Sequence, residues 1–308
     1  MITPVFALSL FDQLGTAVVL GITFGAVYSL IALGIVLVYR ASGIFNFAQG
    51  EFGTVALFAA YSGVQYWGWS YGWGLLFGLG VALAMGLAAE RLVIWPLRHS
   101  PQVTLLVATA GVALAAIGFE FWQFNENPIL TMPRIVEGVA WFSPFGVGVT
   151  WQQVITLGVL LAVAVLLAAF FRSPLGLAVQ AASQDPVASE LVGVSVRRVS
   201  RLTWALAALL GGLAGLLSGP NATFTAAFLT FGAGRALLPG FTAAVLAGMR
   251  SMPGALVGGL VVGIVEGLGG LTAFAAVPGA RELMLFALLL VALLVRPSGL
   301  FVRRAVAA

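Results

Sequence analysis

The sequence contains no cysteine, no lysine and a single histidine, His99. Without cysteine there is no disulfide, thiolate metal site or thiol nucleophile, and one histidine cannot form a metal cluster. Without lysine there is neither the lysine of an ATPase phosphate-binding loop nor a Schiff-base lysine. If the protein uses ATP, another chain must bind the nucleotide.

Charged residues are also scarce, at 8% of the 308 residues, against about 25% in a typical soluble domain. Hydrophobic residues make up 61%, and the mean hydropathy is +1.09. Because a membrane-spanning helix needs roughly 20 apolar residues, the composition predicts an all-α polytopic membrane protein with about eight or nine transmembrane helices. We expect one transmembrane domain over residues 1–308, with broken or re-entrant segments.

Nine apolar runs mark the candidate spans. They cover 13–39, 51–67, 75–95, 103–123, 150–171, 202–218, 236–249, 254–271 and 282–296. The run at 236–249 is short for a full crossing, so it is alternatively half of a broken helix or part of a re-entrant segment.

The arginine distribution predicts the orientation. Nine crossings put the termini on opposite sides of the membrane. With a cytoplasmic C-terminus, eleven arginines lie inside and only Arg134, Arg235 and Arg281 lie outside. Since basic residues favour the cytoplasmic side, we expect the N-terminus outside and the C-terminus inside.

Two connections are longer than helix hairpins require. The outer one, 124–149, contains Asn125, Glu126, Asn127 and Pro128 and is predicted to form turns. The inner one, 172–201, carries its own helix signals. Asp185 and Pro186 form an N-cap and first-turn pair, Gly193 ends a short helix, and Ser195 caps the next. We call residues 172–201 the knob, because these signals predict a compact protrusion.

Glycines recur at helical spacing, which in lipid lets two helix backbones approach closely. The pairs and runs are Gly74 and Gly78; Gly211 and Gly215; Gly254 and Gly258; and Gly259, Gly263 and Gly267.

A polar stretch between two apolar runs, residues 39–51, supplies candidate pathway residues. Asn46, Gln49 and Glu51 are polar or ionisable groups at membrane depth, which are costly unless they face protein or water. The alternative is an ordinary turn, in which Asn46 or Gln49 caps the following helix and Glu51 favours its positive end.

Two further residues are weighed for the pathway. Glu266 is a carboxylate deep in an apolar run. As a pathway residue it is protonated, paired with an arginine or part of a proton relay, and the alternative is a hydrogen bond that fixes helix packing. Asn221 marks an outer turn or lines the pathway.

Three stretches resemble the permease subunits of ABC importers for branched-chain amino acids. They are Gly21–Gly53 with the motif NFAQGE, Ala181–Arg201 in the knob, and Phe241–Glu266 followed by the terminal LVRPSGLF. The resemblance implies a permease fold similar to type II ABC importers, a bacterial inner-membrane location, no cofactor and no enzymatic activity. The family commonly has histidine where this chain has Gln49, which puts a titrating role and a standard branched-chain substrate in doubt, since relatives move urea, short amides or aromatic acids.

The implied partners are a second, similar permease, two cytoplasmic ATPase subunits and an extracytoplasmic solute-binding protein. The knob looks like the family's ATPase-coupling loop. The residues assigned to coupling on this basis are Ala182, Asp185, Ala188, Glu190, Leu191, Gly193, Val194, Arg197 and Arg198. The arginines also serve topology, and the two roles are compatible.

A second hypothesis is a secondary transporter or channel that works alone, with Glu51 or Glu266 as a proton or ion site. A membrane-embedded enzyme is a third, but the sequence offers no nucleophile–base pair or metal cluster for it.

Overall fold

The computed structural model describes residues 10–124, 129–296 and 299. Over these ranges the chain forms eleven helices. They are α1 Leu10–Ser42, α2 Gln49–Tyr61, α3 Tyr71–Ala89, α4 Gln102–Gln123, α5 Trp151–Phe170, α6 Pro174–Gln184, α7 Pro186–Leu191, α8 Val196–Ser218, α9 Leu237–Leu246, α10 Met252–Leu268 and α11 Ala280–Val295. Turns of π-helix extend α2 through Ser62–Tyr66 and α3 through Glu90–Ile94. In the described ranges β structure is limited to isolated bridges, so the all-α prediction is confirmed.

Each of the nine apolar runs coincides with a helix. By length and composition, five helical stretches of the described chain can each cross a membrane, and α9 and α10 are shorter apolar helices. The protein is therefore a multi-pass membrane protein.

Helices α1 and α8 form the centre of the bundle. Their apolar windows are 78% and 72% buried inside the protein, against 22% to 28% for α3, α4 and α5. Helix α1 packs mainly on α10, α8 and α9, while α2 packs on α8 and α3. The outer helices thus leave most of their apolar surface for lipid.

Close approach of backbones explains why the centre is rich in glycine. A Cβ placed on Gly25 of α1 would lie 2.8 Å from Leu260 Cα of α10, which is too close for a side chain. A Cβ on Gly215 of α8 would overlap the backbone of Gly53 in α2. The tight packing predicted from glycine spacing is confirmed at these crossings.

The chain between α8 and α9 is interrupted inside the protein. After Ser218 it makes a 3₁₀ turn and then runs without helix to residue 236, with Phe224, Phe228 and Leu229 fully buried. Helix α9 has ten residues and is about 15 Å long, half of the hydrocarbon thickness. The chain therefore does not make a full membrane crossing at α9. We call the stretch between α8 and α9, residues 219–236, the broken segment.

In the outer loop, Gly138 and Gly146 adopt positive φ angles of 98° and 74°, so the predicted turns are present in its described part. Asn125, Glu126, Asn127 and Pro128 lie outside the described residues. So does half of the terminal LVRPSGLF stretch, as do Arg303 and Arg304.

Candidate functional site

Asn46 and Gln49 form a buried polar link between helices. The α1 helix ends at Ser42, and Gly43 turns the chain with φ of 68°. Asn46 Oδ1 accepts from the Ala48 N–H at 3.0 Å, and Asn46 Nδ2 donates to Gln49 Oε1 at 3.2 Å. Both side chains are 0% exposed.

Gln49 continues this link to α8 by donating from Nε2 to the Ala207 carbonyl at 2.8 Å. Its amide occupies space left by the missing side chain of Gly34 in α1. The N-cap position of α2 is Ala48, so neither Asn46 nor Gln49 is the N-cap residue, although Asn46 accepts an N–H of the turn that leads into the helix. Gln49 instead joins α1, α2 and α8.

Glu51 faces a second carboxyl group, Glu120 of α4, in the protein interior. The two side chains are 0% and 1% exposed and interact with each other. Among the described residues, no hydrogen bond of standard geometry reaches either Glu51 oxygen, although Thr54 and Thr230 lie near enough to interact. Neither carboxyl has an ion-pair partner within the described ranges.

Glu120 also holds the broken segment in place. Its Oε2 accepts from the Ala227 N–H at 2.9 Å, where Ala227 has an unusual φ of 57°. Thr54 of α2 accepts from the Leu229 N–H at 3.2 Å. Because non-helical backbone at membrane depth needs hydrogen-bond partners, these side chains replace the missing helical bonds. Glu51 thus lies where α2, α4 and the broken segment meet.

Glu266 lines a cavity of about 340 Å³, which we call the Glu266 cavity. The Tyr28 hydroxyl of α1 donates to Glu266 Oε2 at 2.5 Å. This bond joins α1 to α10, as the packing alternative predicts, and the same carboxyl also borders open space.

The Glu266 cavity combines both signs of charge with apolar walls. Arg281 and Arg235 line it and act on Glu266 electrostatically, while the ion pair of Arg235 is with Glu282 at 3.1 Å. The apolar wall is supplied mainly by α1. The α1 residues are Ala17, Leu20 and Phe24, and Leu271 adds to the wall from the chain after α10. A ligand carrying an anionic group, a cationic group and an apolar side chain would find a partner for each part.

Asn221 is placed beside the cavity rather than in its wall. Its Nδ2 donates to the Leu217 carbonyl at 3.1 Å at the end of the 3₁₀ turn, and the neighbouring Ser218 and Ala222 line the cavity. Asn46, Gln49 and Glu51 do not line this cavity.

The knob folds as its local signals predict. Asp185 caps α7 by accepting from the Ala188 N–H at 2.9 Å, and Ser195 accepts from the Arg198 N–H at the start of α8. Gly193 has φ of 87°, and nothing lies within 4 Å of the position its Cβ would take. The turn is therefore ordered by backbone conformation and capping.

An apolar surface covers the tip of the knob. Val187, Leu191 and Val192 are 70%, 84% and 78% exposed. Ala188 and Glu190 are exposed beside them, while Val194 is half-buried. Ala182 is buried against Val179 and Val199, so it can affect a partner only through the packing of α6 on α8.

The arginines of the knob differ in their contacts. Arg197 lies 5.1 Å above the Trp95 ring, and Arg201 Nε is 3.9 Å from Glu90 Oε2. Arg198 is exposed, and its guanidinium has no partner in the described part of the chain. Arg198 is thus the arginine best placed to meet another protein.

Sequence reasoning missed Glu120, Glu90, Arg281 and the hydroxyl of Tyr28. A carboxyl inside an apolar run, the signal that selected Glu266, also marked Glu120 in 103–123 and Glu90 in 75–95. Arg235 and Arg281 were assigned only to topology, because nothing in their local sequence indicates that they meet Glu266.

The sequence matches a known protein family over most of its length. The family described as branched-chain amino acid transport system / permease component matches residues 17–294. The "High-affinity branched-chain amino acid transport system permease protein LivH" of Escherichia coli K12 is 30% identical over 295 residues, covering 92% of this chain and 94% of that protein. The "High-affinity branched-chain amino acid transport system permease protein BraD" of Pseudomonas aeruginosa is 29% identical over 305 residues, covering 92% of this chain and 94% of that protein.

Among solved structures, PsaBC from Streptococcus pneumoniae in complex with Fab aligns over 93% of this chain and 91% of that one. Its TM-score is 0.43 and its sequence identity 19%. The family match spans nearly all of the described helices, and a permease component is a transport subunit, which agrees with the expectation that this chain is not an enzyme. The chain belongs to the family of permease components of branched-chain amino acid transport systems.

Proposed function

We propose that this chain is the membrane permease of an ATP-driven importer that moves branched-chain amino acids delivered by an extracytoplasmic solute-binding protein. The observation that carries the proposal is the Glu266 cavity. A branched-chain amino acid has an ammonium, a carboxylate and an aliphatic side chain, which suit Glu266, Arg281 and the Leu20 and Phe24 wall respectively. The volume of about 340 Å³ lies in the range of small-molecule sites.

The pathway that we propose starts at this cavity, with Asn221 at its edge. It continues along α1 toward the interior where Asn46, Gln49 and Glu51 lie. Since Asn46 and Gln49 are buried in polar links, we expect them to shape the pathway by holding α1, α2 and α8 in place. Glu51 would act where α2, α4 and the broken segment meet.

For the complete transporter we propose a second, similar permease, two cytoplasmic ATPases and the solute-binding protein as partners. The knob would dock the ATPases, which is supported by its exposed apolar tip and by the exposed side chain of Arg198. Coupling requires the ATPases to bind two states of the permease with different affinity. We place the protein in the bacterial inner membrane, with the N-terminus outside.

The test is uptake of radiolabelled leucine into proteoliposomes that contain the complete transporter. Uptake should require ATP inside the vesicle and binding protein on the outer side, and unlabelled isoleucine and valine should compete. Uptake of urea, a short amide or an aromatic acid, but not of leucine, would show that the proposed substrate is wrong. The proposal of an ATP-driven importer would still stand. Transport by this chain alone, driven by a proton gradient, would favour the secondary transporter that uses Glu51 or Glu266.

A further inference from the structure

A second cavity, of about 560 Å³, opens between α1, α5, α6 and the connection from α9 to α10. We call it the Arg40 cavity. Its rim carries three arginines from three different parts of the chain, namely Arg40 at the end of α1, Arg172 after α5 and Arg250 before α10. Residues far apart in sequence thus bring three positive charges to one concave surface.

The three charges are not neutralised within the described part of the chain. Arg40 donates to Gln180 Oε1 at 3.4 Å and lies 5.5 Å above the Phe171 ring. Arg172 and Arg250 are exposed, and the ion pairs of the described residues lie elsewhere. None of the described residues that line this cavity carries a carboxylate. The positive charge of its lining therefore favours the binding of an anion.

The depth of the cavity is apolar. Leu33 lies seven residues before Arg40 on α1, about 10 Å along the helix axis. Ala164 and Leu167 of α5 and Leu256 of α10 line the same space. On α5 this lining continues into an exposed apolar face that includes Leu161 and Val165, 63% and 69% exposed. A small soluble anion would make no favourable contact with this apolar wall.

We propose that the Arg40 cavity binds an anionic phospholipid, with the phosphate group held by Arg40, Arg172 and Arg250 and an acyl chain along α1 and α5. The chemistry fits, because basic pockets between membrane helices bind anionic head groups and the hydrocarbon face of α5 adjoins the rim. The site does not depend on which solute is transported.

The first test compares two charge-matched double variants of the full chain in nanodiscs. The rim variant combines Arg172→Gln with Arg250→Gln. It removes two charges of the Arg40 cavity that form no ion pair within the described part of the chain. Arg91→Gln with Arg134→Gln removes two exposed arginines elsewhere. Native mass spectrometry after detergent transfer measures how much phosphatidylglycerol is retained. We expect the rim variant to bind it roughly 30-fold more weakly, at about one kcal/mol per arginine, and the control to match the wild type.

Equal loss in both variants, or equal retention of phosphatidylglycerol and phosphatidylcholine by the wild type, would overturn the proposal. The second test separates a lipid from a free anion. Ala164→Trp fills the apolar depth without changing charge, and Ala162→Trp, on the same helix but outside the lining, is its control. Only Ala164→Trp should lower lipid retention. Displacement of the lipid by millimolar inorganic phosphate would instead indicate a soluble-anion site.

Discussion

Glu120 is the residue on which the broken segment depends most directly. Its carboxylate accepts the N–H of Ala227, a residue held at φ of 57° and buried in the protein. In the hydrocarbon region no water is present to replace this bond. A single side chain on α4 therefore fixes a turn 107 positions later in the chain.

We expect Glu120→Leu to lower the free energy of unfolding by about 1–3 kcal/mol, because the buried Ala227 N–H loses its partner. Glu120→Gln keeps an acceptor oxygen and should lose less. Thermal unfolding of the purified chain in detergent measures both. If the two variants unfold at the same temperature, the bond to Ala227 does not hold the segment.

Tyr28→Phe removes the hydroxyl that donates to Glu266 and leaves the aromatic ring in place. Since Glu266 then loses a charge-assisted partner worth about 1.5–3 kcal/mol, we expect a roughly tenfold or larger drop in leucine uptake by the complete transporter. Tyr66→Phe, at an exposed position, is the control and should match the wild type. Unchanged uptake for Tyr28→Phe would remove the Glu266 cavity from the pathway.

Some contacts between side chains could not be predicted from the sequence. Glu51 and Glu120 are each visible as acids within apolar runs, but their meeting depends on how α2 packs beside α4. The same holds for Glu266 and Arg281, which reach one cavity through the fold of the segments around them. Contacts of this kind carry no local pattern.

Among the elements, the knob is the one that local sequence predicts best. Asp185, Gly193 and Ser195 act on their own neighbours through capping and backbone conformation, so their effect is the same in any fold. The short α9 is the opposite case. Its short length was visible in the sequence, but the buried non-helical chain that precedes it became visible only in the structure.

Gly193→Val tests whether the shape of the knob matters for ATPase binding. A β-branched residue at φ of 87° costs of order 1–3 kcal/mol and should distort the turn. Gly138→Val in the outer loop is the matched control, since Gly138 also has a positive φ and open space at its Cβ position. We expect the ATPase to copurify with the control but not with Gly193→Val, while both variants insert into the membrane. Normal copurification with Gly193→Val would separate the knob from coupling.

For the whole molecule, the absence of cysteine allows a clean test of orientation. We expect a single cysteine at Val187 in the knob to react with a membrane-impermeant maleimide only in inverted vesicles. A single cysteine at Gly138 in the outer loop should react only in intact spheroplasts. Both positions are exposed, so access to the side chain does not limit either reaction. Labelling with the opposite pattern would reverse the topology and remove the knob from the cytoplasmic face.

The crossing of α1 and α10 limits how this protein can change shape. At Gly21, Gly25 and Gly263 the two main chains touch without intervening side chains, so no flexible side chain can move aside when one helix shifts against the other. We therefore expect any rearrangement that accompanies import to carry this pair as one rigid body. A chemical cross-link between the two helices should therefore be tolerated during turnover, and inhibition by such a cross-link would show that the pair separates in each cycle.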